Sequence, residues 1–181
     1  LESVHRLPDG RVLIVGGDDG PTVHATCEIW DPASPSAVST TGSMGSARWG
    51  HAHATLSDGS VLVFGGMSTN TGVVTPMSSV ERYDPTGGAW SGKASMPHAR
   101  QNTATVLLAD GTVLVTGGDL GHGNGFAGTK TCQRYDPVAD AWSSSSTEDL
   151  LAPRSGHAAV RLLDGRVLVI GGGKIDRKSV V

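Results

Sequence analysis

The polar and apolar positions of this chain fall into a unit that occurs four times. Each copy is an Asp-Gly turn, a short apolar run and a glycine pair, at residues 9–17, 58–66, 110–118 and 164–172. The pairs end at Gly17, Gly66, Gly118 and Gly172, a period of about 50 residues, which marks a repeat architecture rather than a set of unrelated domains. Asp-Gly predicts a tight turn, because glycine accepts positive φ and Asp tolerates turn geometry. The run that follows, Val61-Leu62-Val63-Phe64 in the clearest copy, is apolar at every position and predicts a strand covered on both faces. The glycine pair predicts a bend or a close backbone approach that a Cβ would block.

The flanking patterns extend this unit. In the second repeat, alternation around small residues predicts a strand over 48–56. The buried strand spans 60–66, a loop 67–78 and a third strand 79–84, closed by Tyr83-Asp84-Pro85; a short fourth strand is Ala89-Trp90-Ser91. The third repeat copies the order through 100–108, 112–118, the loop 119–130, 131–136 and 141–143, with Trp142 and Trp90 each six residues after the turn Asp. In the first repeat, 1–7 reads as the tail of a strand, 11–17 and 26–31 as strands and 18–25 as a polar loop. The Ser/Thr-containing stretch 33–45 reads as a weak segment, with Ala37 at the Trp offset. The fourth repeat gives two strands, 154–163 and 166–172, then a polar tail at 174–181.

Four-stranded meanders placed one after another predict an all-β fold, a β-propeller with blades stacked face to face around an axis. The chain amounts to about three and a half blades, at approximately 1–45, 46–95, 96–149 and an incomplete 150–181. Trp30, Tyr83, Tyr135, Trp90 and Trp142, at their fixed offsets, read as packing between blades.

Composition removes several function classes. The chain has 181 residues, a formal charge of −3 and no lysine cluster, so it lacks the electrostatic footprint of nucleic-acid or anionic-membrane binding. No apolar run approaches the roughly 20 residues of a membrane-spanning helix. Cys27 and Cys132 each lie four residues before the Asp of an aromatic-Asp-Pro turn, where the second repeat has Val80. Interchange with Val predicts buried thiols acting as small hydrophobes, and their places in different repeats argue against a mutual disulfide. The chain opens on Leu1 without a signal-peptide pattern, and the repeats break off after a first and second strand. These features predict an arc of a longer propeller, completed by further blades or by self-association, with end blades that expose faces meant for neighbours.

Gly65-Gly66, Tyr83 and Trp90, and again Gly117-Gly118, Tyr135 and Trp142, resemble the kelch repeat family. The Asp-Gly-x-Val-Leu-Val and Tyr-Asp-Pro turns resemble its bacterial subset, which also appears in the propeller of galactose-oxidase-like proteins. The resemblance covers almost the whole chain and implies a kelch-type β-propeller whose first strands line a central channel. It points to an extracellular or periplasmic setting.

Arg48, Arg100 and Arg154 each lie ten residues before the Asp of the Asp-Gly turn. At channel positions they could form a basic rim that grips a carboxylate, as arginines of several kelch proteins do, since the guanidinium fork matches carboxylate geometry. Alternatively, a residue present in every repeat ties neighbouring blades through backbone carbonyls.

The resemblance implies a non-catalytic scaffold that binds a protein or glycan through the loops 18–25, 67–78 and 119–130. A second reading is part of the propeller of a secreted galactose-oxidase-like copper oxidase whose active-site residues lie outside this segment. A third is a run of structural spacer repeats in a surface protein. No catalytic residue, cofactor or metal site is assigned. Tyr83 and Tyr135 both occupy the packing offset. His51 and His157 lie seven residues before the turn, but Glu2 and Thr103 fill that place elsewhere, and His53 adds no third ligand. Asp18, Asp19, His122 and Asn124 are isolated polar residues in loops. The glycine-rich 121–125 opens no helix and lacks the Lys-Ser/Thr of a phosphate loop, and no Gly-x-Ser-x-Gly elbow occurs.

Overall fold

The computed structural model describes residues 3–69, 75–121, 128–143 and 148–173, together with the backbone of Ser179–Val180. These form four antiparallel sheets, each a meander in chain order. Blade 1 holds β1 (Ser3–Arg6), β2 (Val12–Val15), β3 (Cys27–Trp30) and β4 (Val38–Thr40). Blade 2 holds β5 (Ala52–Thr55), β6 (Val61–Phe64), β7 (Val80–Asp84) and β8 (Ala89–Lys93). Blade 3 holds β9 (Ala104–Leu107), β10 (Val113–Thr116), β11 (Cys132–Asp136) and β12 (Ala141–Ser143). Blade 4 holds β13 (Ala158–Arg161), β14 (Val167–Ile170) and β15 (Ser179–Val180).

The Asp-Gly turns close as the sequence predicts. The carboxylates of Asp9, Asp58, Asp110 and Asp164 each accept the amide two residues on, at 3.0 to 3.1 Å. The following glycines, Gly10, Gly59, Gly111 and Gly165, take φ between 83 and 91°. Such Asx geometry leaves the strands antiparallel with no ladder bond wasted in the turn.

Three expectations need correction. The stretch 33–45 contains a strand, β4, which pairs Val38 with Trp30 and Thr40 with Glu28 without the Trp of the other repeats. The tail contains β15, paired through Val180 to Leu168, so blade 4 has a third strand. The first strands begin four residues after each arginine rather than on it. Gly50, Asn102 and Gly156 stand at positive φ of 60, 49 and 61°, and that left-handed residue interrupts the extended chain.

Because side chains alternate across a strand, each apolar run serves two interfaces at once. Leu13, Val15, Cys27 and Ile29 of blade 1 pack on Val61, Val63 and Tyr83 of blade 2. On the other face of blade 2, Leu62, Phe64 and Val80 pack on Val113, Val115 and Tyr135 of blade 3. Val106, Leu114 and Cys132 of blade 3 then meet Val167 and Val169 of blade 4. The core is thus a series of slabs between blades. Val61, Val63, Val113, Val115, Val167 and Val169 are all buried, as their repeat positions predict.

Both cysteines are free and buried in separate slabs, each thiol donating to the carbonyl two residues earlier. Burial pushes the Cys132 thiol up to about 11, so it is an inert apolar group at neutral pH.

Candidate functional site

The three arginines sit at the junctions between blades, and their geometry recurs. The Arg48 amide donates to the His24 carbonyl, and its own carbonyl accepts the amide of Gly17, both in blade 1. Its side chain turns the other way, into blade 2: Nη1 donates to the carbonyls of Gly65 (2.8 Å) and Ser79 (3.2 Å), and Nη2 to Ser79 Oγ (3.1 Å). Arg100 repeats this between blades 2 and 3. Its backbone bonds Met77 and Gly66, and its guanidinium donates to the carbonyls of Gly117 and Thr131, both at 2.9 Å. Arg154 does so between blades 3 and 4, with backbone bonds to Thr129 and Gly118 and a 2.9 Å bond to the Gly171 carbonyl.

All three are fully buried. Each guanidinium is directed into its own blade, so the three do not converge on a shared opening. Of the two readings the sequence leaves open for Arg48, Arg100 and Arg154, this geometry is that of the tie between blades, with guanidinium donors bonded to backbone carbonyls. They act as staples, backbone on one blade and side chain on the next.

The staples differ in charge. Arg48 meets Glu81 at 2.5 Å, and Glu81 also accepts the amides of Gly45 and Ser46 in the linker. In blade 3 the residue after Cys132 is Gln133, the counterpart of Glu81. Among the described residues Arg100 has no ion pair, and neither Arg100 Nε nor Gln133 Oε1 meets a partner. Burial pulls the Arg100 guanidinium down to about 10.

Each staple is backed by an apolar plug that the sequence reading missed. Met44, Met96 and Leu150, four residues before each arginine, are buried. Their tips lie where a Cβ on Gly16, Gly65 or Gly117 would stand. The glycine pair is therefore required by the next blade. The signal was present as a fixed four-residue spacing to the arginine.

The aromatic offsets also find their reason. Trp90 Nε1 donates to the Gly42 carbonyl at 3.0 Å and Trp142 Nε1 to that of Ala94 at 2.7 Å, each reaching the segment that leaves the preceding blade. Tyr83 Oη bonds Thr41 Oγ1 at 2.8 Å, and Tyr135 Oη donates to Asp140 at 2.6 Å. Both phenols are thereby engaged in packing. Trp30 differs: it lies on the outward face of blade 1 and bonds the Pro35 carbonyl of its own blade.

The first strands bring histidines together across blades 1 and 2. Ser3 Oγ bonds His51 Nε2 at 2.8 Å and His5 Nε2 at 3.1 Å, while His5 Nδ1 reaches Thr55 Oγ1 at 3.3 Å. The His5 and His53 rings meet edge to face at 4.4 Å. Burial, with His53 nearby, pushes the His5 imidazole down to about 3, and burial next to Arg48 does the same to His51. His157, bonded to Thr116 Oγ1 at 2.8 Å, falls to about 4 by burial and the Arg154 charge. These are neutral, hydroxyl-bonded rings in the blade junctions. Among the described residues no three His, Cys, Asp or Glu side chains gather as metal ligands.

The connections between second and third strands carry the exposed polar candidates. In blade 1, Asp19 caps the Thr22 amide and pairs with His24 at 3.1 Å. The corresponding segments of blades 2 and 3 meet each other, with Gly121 set against the Pro76 ring. His122 and Asn124 lie outside the described residues. No described helix is long and apolar enough to cross a membrane.

A family model for the kelch motif matches residues 48–97. An F-box/kelch-repeat protein of Arabidopsis thaliana is 37% identical over 86 residues, covering 48% of this chain and 17% of that protein. Kelch-like protein 35 of Mus musculus is 33% identical over 130 residues, covering 72% of this chain and 21% of the relative. The chain thus spans a small part of the length of these relatives. The solved structure of YjhT is similar with a TM-score of 0.73 at 20% identity, over 94% of this chain and 57% of that one, a likeness of fold. With glycine pairs, aromatics and four successive blades in one register, this chain belongs to the kelch-repeat β-propellers.

Proposed function

We propose that the chain is a non-catalytic propeller scaffold that binds a protein partner through the loops joining second to third strands, residues 18–25, 67–78 and 119–130. The observation that carries this reading is the contrast between junctions and loops. Each junction repeats the same arginine, glycine and apolar plug, whereas the loops differ in sequence from blade to blade and that of blade 1 is the shorter. A rigid frame with variable loops on it is the usual arrangement of a recognition surface. Two of these loops come together where Gly121 is set against the Pro76 ring, which supports their acting as one surface.

The test is a panel of loop variants, each replaced by a short Gly-Ser connection, screened against peptide and glycan arrays beside the unaltered chain. Circular dichroism and thermal unfolding verify the fold. Loss of a protein or peptide signal on loop replacement, with unfolding unchanged, supports the reading. A signal that survives all three replacements sinks it, and binding to glycans alone redirects it to a carbohydrate partner.

A further inference from the structure

The backbone bridge that leads into a first strand carries different side chains in different blades. In blade 2 it joins Trp49 to Met67 and in blade 3 Gln101 to Asp119, with amide-to-carbonyl distances of 2.9 to 3.1 Å in both. The frame therefore does not require polar residues there, yet at the entry to blade 3 two are buried, Gln101 at 1% and Asp119 at 4% exposure. Asn102 follows in the left-handed region, at φ 49°, where blades 2 and 4 have Gly50 and Gly156. A side chain at that φ costs energy that glycine avoids, and such strain concentrates at functional sites. Asn102 Nδ2 donates to Asp119 Oδ2 at 3.5 Å, which turns Asn102 Oδ1 away from the carboxylate. A Cβ placed on Gly50 would lie 3.2 Å from that oxygen and 3.7 Å from Gln101 Oε1, so both amide oxygens border the same small space. Gln101 Oε1 is buried and meets no hydrogen-bond donor, although buried acceptors are nearly always satisfied. Among the described residues no ion pair neutralises Asp119. The neighbouring Arg100 sends its guanidinium into blade 3, to the carbonyls of Gly117 and Thr131.

We propose that Gln101 Oε1, Asn102 Oδ1 and the Asp119 carboxylate form a binding site for a hard cation of the Ca²⁺ class. The donors are all oxygen, two amide carbonyls and one carboxylate, which suits Ca²⁺ and not the metals that seek thiolate or imidazole. A cation supplies at once the partner that Gln101 Oε1 lacks and the positive charge that Asp119 lacks. It also gives Asn102 a reason: glycine would hold the same backbone with less strain but would bring no oxygen. Three protein oxygens leave the rest of the coordination shell to water, so the affinity is weak, with Kd on the order of 0.1–1 mM. The site lies between two four-stranded blades, and it forms whether or not the loops bind a partner.

Luminescence of Tb³⁺, which takes oxygen ligands in place of Ca²⁺, tests this on the 181-residue chain. Trp49 is next to Gly50 and half-buried. Tryptophan excitation should therefore sensitise a Tb³⁺ ion bound there, and added Ca²⁺ should displace it and quench the emission. CaCl₂ should also raise the melting temperature at constant ionic strength. Two variants each remove one ligand. Asn102→Gly copies the residue of blades 2 and 4 and relieves the left-handed strain. Asp119→Asn removes the charge and keeps the size. Each is expected to weaken Tb³⁺ and Ca²⁺ binding by about tenfold or more and to abolish the melting shift with CaCl₂. Circular dichroism checks the fold; should Asp119→Asn lose its spectrum, Gln101→Leu takes its place. An unaltered chain with neither sensitised emission nor a melting shift overturns the proposal. So do an emission and a shift that persist undiminished in Asn102→Gly, because the ion then sits elsewhere.

Discussion

Strands β6 and β14 are nearly the same in sequence, Val-Leu-Val-Phe and Val-Leu-Val-Ile, yet they live in different surroundings. All four residues of β6 are buried. In β14 Val167 and Val169 are buried, Leu168 is half-buried and Ile170 is exposed. The mirror case is β2, where Leu13 and Val15 are buried and Val12 and Ile14 only half so. An apolar run thus states that a strand suits two covered faces, and the neighbouring blades decide whether both are covered. The glycine pairs show the same division. A Cβ on Gly65 would collide with the Arg100 carbonyl, whereas one on Gly171 would meet open space.

The contrast is tested most strongly in the slabs. Phe64→Ala should cost about 3–5 kcal/mol, the range of large aromatic truncations in a close-packed core, while Ile170→Ala should cost about 1 kcal/mol or less, as surface changes do. Urea unfolding of both measures the ratio, and equal losses would remove the distinction between inner and end blades. Next come the glycines. Gly171→Ala should cost roughly 1–2 kcal/mol for placing a Cβ at positive φ. Gly65→Ala should cost clearly more, since the same strain is joined by a backbone collision; matching melting points for the two variants would contradict the junction geometry.

A third pair of changes makes the two staples exchange character. Glu81→Gln removes the charged acceptor of Arg48 and should destabilise by about 1.5–3 kcal/mol, the range for hydrogen bonds to charged groups. Gln133→Glu should stabilise blade 3 by about 1 kcal/mol by giving Arg100 the partner that Arg48 has. A Gln133→Glu chain less stable than the parent would show that the two junctions are not equivalent.

The last effect concerns acid. His5 and His157 have folded-state values near 3 and 4 against an ordinary 6.5, lowered chiefly by burial. The unfolded chain therefore takes up protons first as pH falls. Stability should be level above about pH 6.5 and then drop by roughly 1.4 kcal/mol per pH unit for each of these rings, until the folded-state values are approached. Urea midpoints measured between pH 7 and 5 read this slope. His157→Gln should remove one ring's share, and a slope unchanged in that variant would count against the buried neutral imidazole.

Much of the junction was legible in the sequence because it repeats. A fixed offset of ten residues marked the arginines, and of six the tryptophans. What the offset could not convey was direction. A buried arginine that spends its donors on carbonyls has the same spacing as one that faces a channel. Strand β4 escaped notice because Val38 replaces the Trp that marks the outer strand elsewhere, and backbone pairing to β3 does not need that side chain. The histidine and serine cluster escaped because Ser3 and His51 are 48 residues apart and meet only when first strands lie side by side.

The sequence by itself determined the repeat, the strand runs, the tight turns and the aromatic packing positions. Each of these is a local preference, of glycine for positive φ, of Asp for turn amides or of alternating apolar residues for a sheet. Tertiary structure alone decided which apolar faces are covered, which glycines are crowded and where each guanidinium points. Those depend on the next blade, whose distance no single repeat encodes.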